Sequence, residues 1–247
     1  MGTTSYIDRF QALRSVHYGI TTAQKTNRGM ATTQAVLSYV GKPFDTLTDG
    51  EMKPVYGWQS LHSHAFKGLG KRLLGNCDIA DLSLFPARYP TLKTQRFYAG
   101  LEIPFLHLGL WGLTWLTRLR LMPGLDKIAP LLLKLSFRFD RFGSDTSAFY
   151  MRLSGTDETG GDKAIDFDLT ARAGDGPYIP CMPAILLAKK LVADEINTKG
   201  AMPCMGLITL SEYLAALEPM NITWTLSEQE TLSAENLAPE LEMTLQL

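Results

Sequence analysis

Fifteen consecutive residues, Ile103 to Thr117, carry no formal charge, and this run constrains the fold of the chain more than any other stretch. It holds Phe105, Leu106, Leu108, Leu110, Trp111, Leu113, Trp115 and Leu116. A helix that crosses a bilayer needs about 20 predominantly apolar residues. This run is shorter, and Pro104, His107, Gly109 and Gly112 interrupt it. The length points to a helix buried in a core or an interface. A helix lying in a membrane surface, with the two tryptophans as anchors, is the alternative. On a monomer surface the run would expose a large apolar patch, so a homodimer that covers it is expected.

The residues around the run supply a sheet for such a helix to pack on. Leu13 to Ile20 reads as a strand. Gly29 to Val40 reads as a helix, with Ala31, Ala35, Val36 and Tyr39 at helical spacing and Lys42-Pro43 as its stop. Asp49-Gly50, between Thr46–Thr48 and Met52–Tyr56, is a hairpin turn signal. Residues 57–91 read as a long irregular segment punctuated by Gly, Pro and Asn, either functional or holding short helices. Leu92 to Gly100 is a strand, Pro104 opens the apolar helix, and Pro123-Gly124 breaks it. A helix over Ile128–Phe139 follows. Strands over Ser147–Leu153 and Ala164–Ala171 are joined by a polar loop. In the second, Ile165, Phe167 and Leu169 alternate with Asp166, Asp168 and Thr170, so one face is buried and one is polar. Helices over Met182–Ile196 and Leu210–Leu217, the latter capped by Thr209 or Ser211, precede a last strand, Ile222–Leu226. This order predicts an α+β fold: a mixed, largely antiparallel sheet with helices packed on one face, forming one domain over residues 5–226. Residues 227–247 are expected to be a tail or an edge strand.

Composition and motifs exclude several functions. Lys and Arg number 24 and Asp and Glu 25, a net charge of -1, so no broad field draws nucleic acid or an anionic membrane, which leaves local basic patches open. Cys77, Cys181 and Cys204 are odd in number, with no C-x-x-C, which argues against a disulfide scaffold and a structural zinc site. Reduced thiols fit a cytoplasmic protein, and Cys181 and Cys204, each beside a proline, are expected to be packed. The first residues lack an apolar signal core. Gly68-Leu69-Gly70-Lys71-Arg72-Leu73 begins like a dinucleotide loop, but Leu stands at its last position and no strand precedes it convincingly. Neither G-x-x-x-x-G-K-[ST] nor G-x-S-x-G occurs. His62 and His64 lie two apart without further ligand residues, so exposed loop histidines are expected rather than a metal site.

Three stretches together resemble one family. They are Asn27-Arg28-Gly29-Met30-Ala31-Thr32 running on through Val40-Gly41-Lys42-Pro43 to Val55-Tyr56-Gly57-Trp58; Phe139-Asp140-Arg141-Phe142-Gly143-Ser144-Asp145; and Ala173-Gly174-Asp175-Gly176-Pro177-Tyr178-Ile179-Pro180-Cys181-Met182-Pro183-Ala184, followed by Gly200-Ala201-Met202-Pro203-Cys204-Met205-Gly206. The chain resembles the C-terminal part of bacterial saccharopine dehydrogenase-like oxidoreductases over about residues 5 to 222. The resemblance implies a Rossmann half that holds NAD or NADP and is absent here. It also implies an α+β half like the C-terminal domain of glyceraldehyde-3-phosphate dehydrogenase, which contributes to the substrate site and to dimerisation. One position departs: Gly174-Asp175-Gly176-Pro177 stands where the family pattern has Gly-His-Gly-Pro, which puts activity in doubt.

The same residues have a physical reading. Arg141 suits bidentate capture of a substrate carboxylate, with Asp145 orienting it or acting as a base; a solvated loop with local ion pairs is the alternative. Arg28 lies at a helix N-terminus, where a cation is unfavourable unless it recruits an anion. Tyr56 and Trp58 either line a pocket or belong to the core. Gly174 and Gly176 permit close approach of backbone to a ligand, or simply a tight strand-to-helix turn. The expected function is thus the substrate-binding half of an NAD(P)-dependent oxidoreductase, binding no cofactor alone. A non-enzymatic homodimeric binding or assembly domain, or one resting on a membrane surface, is the alternative.

Overall fold

The computed structural model describes residues 6–122 and 124–229. A seven-stranded sheet forms its centre. In chain order the elements are strand β1 (Ala12–Thr22), helix α1 (Met30–Tyr39), strands β2 (Pro43–Thr48), β3 (Glu51–Tyr56), β4 (His62–Phe66) and β5 (Gly70–Asn76), helix α2 (Asp81–Arg88), strand β6 (Thr94–Leu101), helices α3 (Pro104–Arg118) and α4 (Ala129–Phe137), strands β7 (Ser147–Thr156) and β8 (Asp162–Ala171), helices α5 (Tyr178–Val192) and α6 (Leu210–Leu217), and strand β9 (Ile222–Gln229). The sheet order is β4-β5-β6-β1-β7-β8-β9, with β2-β3 a separate hairpin. Among the described strands β1 and β6 run parallel and the other paired neighbours antiparallel. The expected α+β class with a mixed, largely antiparallel sheet is what is found.

Alternation decides the two faces of the sheet. Val16 and Tyr18 of β1, Phe97 and Ala99 of β6, and Leu153 and Ile165 of β7 and β8 form one buried cluster with Leu37 of α1, Leu82 of α2 and Ala129 of α4. Leu169 and Ala171 on the same side pack with Met182 of α5 and Leu217 of α6. The helices therefore cover one face. On the other, the β4–β5 hairpin folds back over the sheet. Only Gly75 and Asn76 of β5 pair with β6, so the rest of the hairpin is free to curl. Its Phe66 and Leu74 bury against Ala148 and Tyr150.

The turn at Asp49-Gly50 forms as the sequence predicts, with φ of 53° and 84° at its two central residues. Thr209 caps α6 through a full capping box with Glu212. Four expectations need correction. Residues 57–91 are not irregular: they hold β4, β5 and α2. His62 and His64 are buried strand residues, 7% and 5% exposed, not loop histidines. His64 stacks flat on Tyr150 with ring centroids 3.7 Å apart, and His62 meets Tyr98 edge-on. Cys181 and Cys204 are exposed and Cys77 is the buried thiol, because Met182 is the residue that α5 turns to the core. The last strand, expected over Ile222–Leu226, runs on to Gln229 at the sheet edge. Residues 230–247 and Pro123 lie outside the described residues.

Candidate functional site

The strands β1 and β6 end beside each other, at Thr22 and Leu101, and the loops leaving them meet the turn that enters β7. Glu102 stands at this junction, 9% exposed. Its Oε2 accepts hydrogen bonds from the Gln24 and Ser144 backbone N–H groups at 2.8 and 2.9 Å, and its Oε1 from the Ser144 hydroxyl at 2.7 Å. Burial pushes this carboxyl up, but the Gln24 and Ser144 donors and the nearby Arg72 outweigh burial and hold it below its ordinary value. Gly143 makes the approach feasible. A Cβ there would lie 2.1 Å from the Gln24 Cβ and 2.8 Å from Glu102 Oε2.

Glu102 forms the floor of a hollow of about 650 Å³. Ile103, Pro104, Phe105, Phe139 and Phe142 supply apolar walls, and Arg72 and Arg141 supply two guanidinium groups. Arg72 reaches in from β5. Its side chain is 20% exposed and its Nη2 lies 3.5 Å from Glu102 Oε1, while its buried Nε has no hydrogen-bond partner. Arg141 is exposed on the turn Asp140–Phe142, its guanidinium 4.5 Å from the centre of the Phe142 ring. The arrangement suits an anion that takes the spare Arg72 donors, with an apolar portion against the phenylalanines.

Of the residues singled out in the sequence, Arg141 lines this hollow. Arg28 stands behind it: its Nη2 pairs with Asp140 at 2.6 Å, and its Nη1 donates to the Gln24 carbonyl. Gln24 Nε2 donates to the same Asp140 oxygen at 3.0 Å, so the Arg28 charge is paired within the protein, although its buried Nε, like that of Arg72, has no partner among the described residues. Asp145 is exposed, and its side chain accepts from Thr146, not from Arg141. Its carbonyl accepts from the Gly174 N–H at 3.1 Å, which ties this turn to the loop after β8. In that loop Ala173 and Gly174 have φ of 55° and 79°. Asp175 Oδ2 accepts from Asn221 N–H and Nδ2 at 2.8 and 3.0 Å. A Cβ on Gly176 would meet Ser147 Oγ at 2.6 Å. Tyr56 lies under the Arg118 guanidinium at 3.9 Å, and Trp58 is 2% exposed beside His107; neither lines the hollow. Arg72, Glu102 and Gln24 were not singled out in the sequence. The one signal for Glu102 was its position as the last charge before the uncharged run.

A second, smaller hollow of about 180 Å³ lies beneath the β4–β5 turn, lined by Lys67, Gly68, Asp168, Arg172 and threonines of β8 and β9. Burial raises the Asp168 carboxyl above its ordinary value. The Gly68-Leu69-Gly70 sequence is the hairpin turn here, with both glycines at positive φ, and leads into a strand rather than a helix. Among the described residues no group of three or more His, Cys, Asp or Glu side chains is placed to hold a metal, and no helix is long and apolar enough to cross a membrane.

Comparison with known proteins defines the fold class. No family model and no curated protein matches the sequence. The fold is similar to that of a solved apo, histidine-tagged saccharopine dehydrogenase (L-Glu forming) from Saccharomyces cerevisiae, at a TM-score of 0.55 and 10% identity. The match covers 87% of this chain and 67% of the yeast one. The chain thus has a saccharopine dehydrogenase-like fold.

Proposed function

We propose that this chain is the C-terminal, substrate-side half of a saccharopine dehydrogenase-like, NAD(P)-dependent oxidoreductase, and that the Arg72–Glu102–Arg141 hollow takes a small carboxylate-bearing molecule. The observation that carries the reading is Arg72. Its side chain is four-fifths buried, yet among the described residues its Nε has no partner and Glu102 lies no nearer than 3.5 Å. A buried donor left unmade costs about 1–3 kcal/mol, and a carboxylate in the hollow would recover it. Glu102 meets Arg72 only at 3.5 Å through Nη2, and its oxygens already accept from Gln24 and Ser144, so it leaves the Arg72 Nε unmatched.

Hydride transfer needs a held nicotinamide. Dinucleotide folds hold it on a parallel sheet of βαβ units. Here β1 and β6 are the parallel pair among the described strands, which supports placing the nucleotide on another half. The chain alone should then bind substrate weakly and not turn it over. Its role in the reaction would be to hold and orient the carboxylate end of a substrate while the apolar wall excludes water.

Asp175 favours a second reading, a non-enzymatic binding domain. Where the family pattern has histidine, this side chain ties its loop to Asn221 and has no place in the hollow.

The yeast protein is named for forming L-Glu, so L-glutamate is the first probe. Titrated into isotope-labelled protein, it should shift the amide signals of Arg72, Glu102 and Arg141–Ser144. Arg141→Gln, an exposed change, should weaken that binding about tenfold, as loss of a charge-assisted bond does. Shifts confined to other residues, or shifts unaltered in Arg141→Gln, would remove the hollow as the site.

A further inference from the structure

α3 packs Leu110, Trp111 and Leu113, partly buried, against the core, and leaves a second apolar stripe outward. Its two buried side chains are His107 and Thr114. Both are held by hydrogen bonds: His107 Nδ1 accepts from the Leu101 N–H at 3.3 Å, and Thr114 Oγ1 accepts from Gln59 Nε2 at 3.1 Å. The opposite side exposes Phe105, Leu108, Trp115 and Leu116, with Leu119 just beyond the last turn. These recur at helical spacing and form one stripe. Gly109 and Gly112 lie in it, and a methyl group on either would meet nothing within 4 Å. The stripe joins a second one on α4 and the turn after it. Phe105 packs edge-on to Phe139, centroids 5.2 Å apart, and Leu131, Leu135, Phe137 and Phe142 are exposed beyond. At the far end Leu119 is 62% and Leu121 72% exposed.

An amphipathic helix on a soluble surface turns its apolar side inward. An apolar patch left outward marks a place that another apolar body covers. The charges around it say which body. Residues 104–142 hold six basic side chains, Arg118, Arg120, Lys127, Lys134, Arg138 and Arg141, and two acidic ones, a net +4 in a chain of net -1. One of the acids, Asp140, is already matched by Arg28. A two-fold dimer would bring this patch onto itself and set like charge against like. An anionic lipid surface suits both features. The stripe enters the acyl boundary and the basic side chains reach the headgroups.

We propose that the chain docks on anionic bilayers through the exposed stripe of α3 and α4. The inference stands independently of the ligand assigned to the hollow. The test is co-sedimentation of the whole chain with vesicles of mixed phosphatidylcholine and phosphatidylglycerol, and with phosphatidylcholine alone. The protein should sediment with the anionic vesicles, far less with the neutral ones, and less again as salt screens the attraction. Leu119→Glu/Leu121→Glu should reduce binding at least about tenfold. Arg120→Glu/Lys134→Glu, a pair that leaves the apolar stripe intact, should reduce it too, with an unchanged melting temperature. Wild-type protein left in the supernatant would overturn the proposal, and so would equal binding to both vesicle types. A particle of twice 27.4 kDa in light scattering that Leu119→Glu/Leu121→Glu converts to monomer would assign the face to a second copy and overturn it as well.

Discussion

Glu102 and His107 are five residues apart, the first on the floor of the hollow and the second fully buried, and electrostatically opposite. Glu102 is surrounded by donors, so its charged form is favoured. His107 is fully buried, its Nδ1 accepting from Leu101 and its Nε2 without a partner. Burial first, and His62 second, push its pKa down to about 4 from 6.5. The folded protein then binds fewer protons at His107 than the unfolded chain between these two values. Stability from this group is therefore full above about pH 6.5 and lost as pH falls toward 4, by on the order of 3 kcal/mol. Denaturant titrations across that range should show the loss, and His107→Asn, which keeps an acceptor for the Leu101 N–H, should flatten it. A wild-type profile as flat as the variant's would refute the assignment. The site was legible at this scale only in part. Arg141 and the Phe139–Asp145 turn stood out because charge and glycine fall close together. Arg72 and Glu102 come from positions 30 apart, joined only when β5 folds beside β6.

At the scale of elements, α3 buries two polar side chains fully, His107 and Thr114, beside the partly buried Leu110, Trp111 and Leu113, while a further apolar stripe stays exposed. Thr114 is its inner anchor, linked through Gln59 to Arg118, whose Nη1 donates to Gln59 Oε1 at 2.8 Å. Gly41, at φ 72°, lets the turn after α1 press against it: a Cβ there would lie 2.6 Å from the Thr114 carbonyl oxygen. Thr114→Val, nearly isosteric, should strand the buried Gln59 amide and cost about 1–3 kcal/mol. Leu116→Gln, which exchanges an apolar for a polar side chain on the exposed stripe, should fall within about 0.5 kcal/mol of wild type. Chemical denaturation of the two variants checks this, and the reverse order would mean that α3 faces the other way. Strands with clean alternation, such as β8, and turns with fixed chemistry, such as Asp49-Gly50, were legible in the sequence. β4 and β5 were not. β4 has only five residues and turns the polar His62 and His64 inward with Phe66, which hides the apolar face that marks a half-buried strand, and β5 opens on Gly70 and the charged Lys71 and Arg72.

The whole molecule separates its surfaces by task. Helices cover one face of the sheet, the β4–β5 hairpin curls over the other, and the hollow opens where β1 and β6 end. Phe105 and Phe142 belong both to the hollow and to the exposed stripe, so the proposed ligand site and the proposed lipid-facing surface adjoin. The proposed function assigns the nicotinamide to another half, and on that proposal the chain should recognise its ligand without it. Calorimetric titration of the chain with NADH and with NADPH is the direct test. No heat from either is expected. Micromolar binding of either one would mean that the chain carries its own nucleotide site, and would contradict its assignment as the substrate-side half.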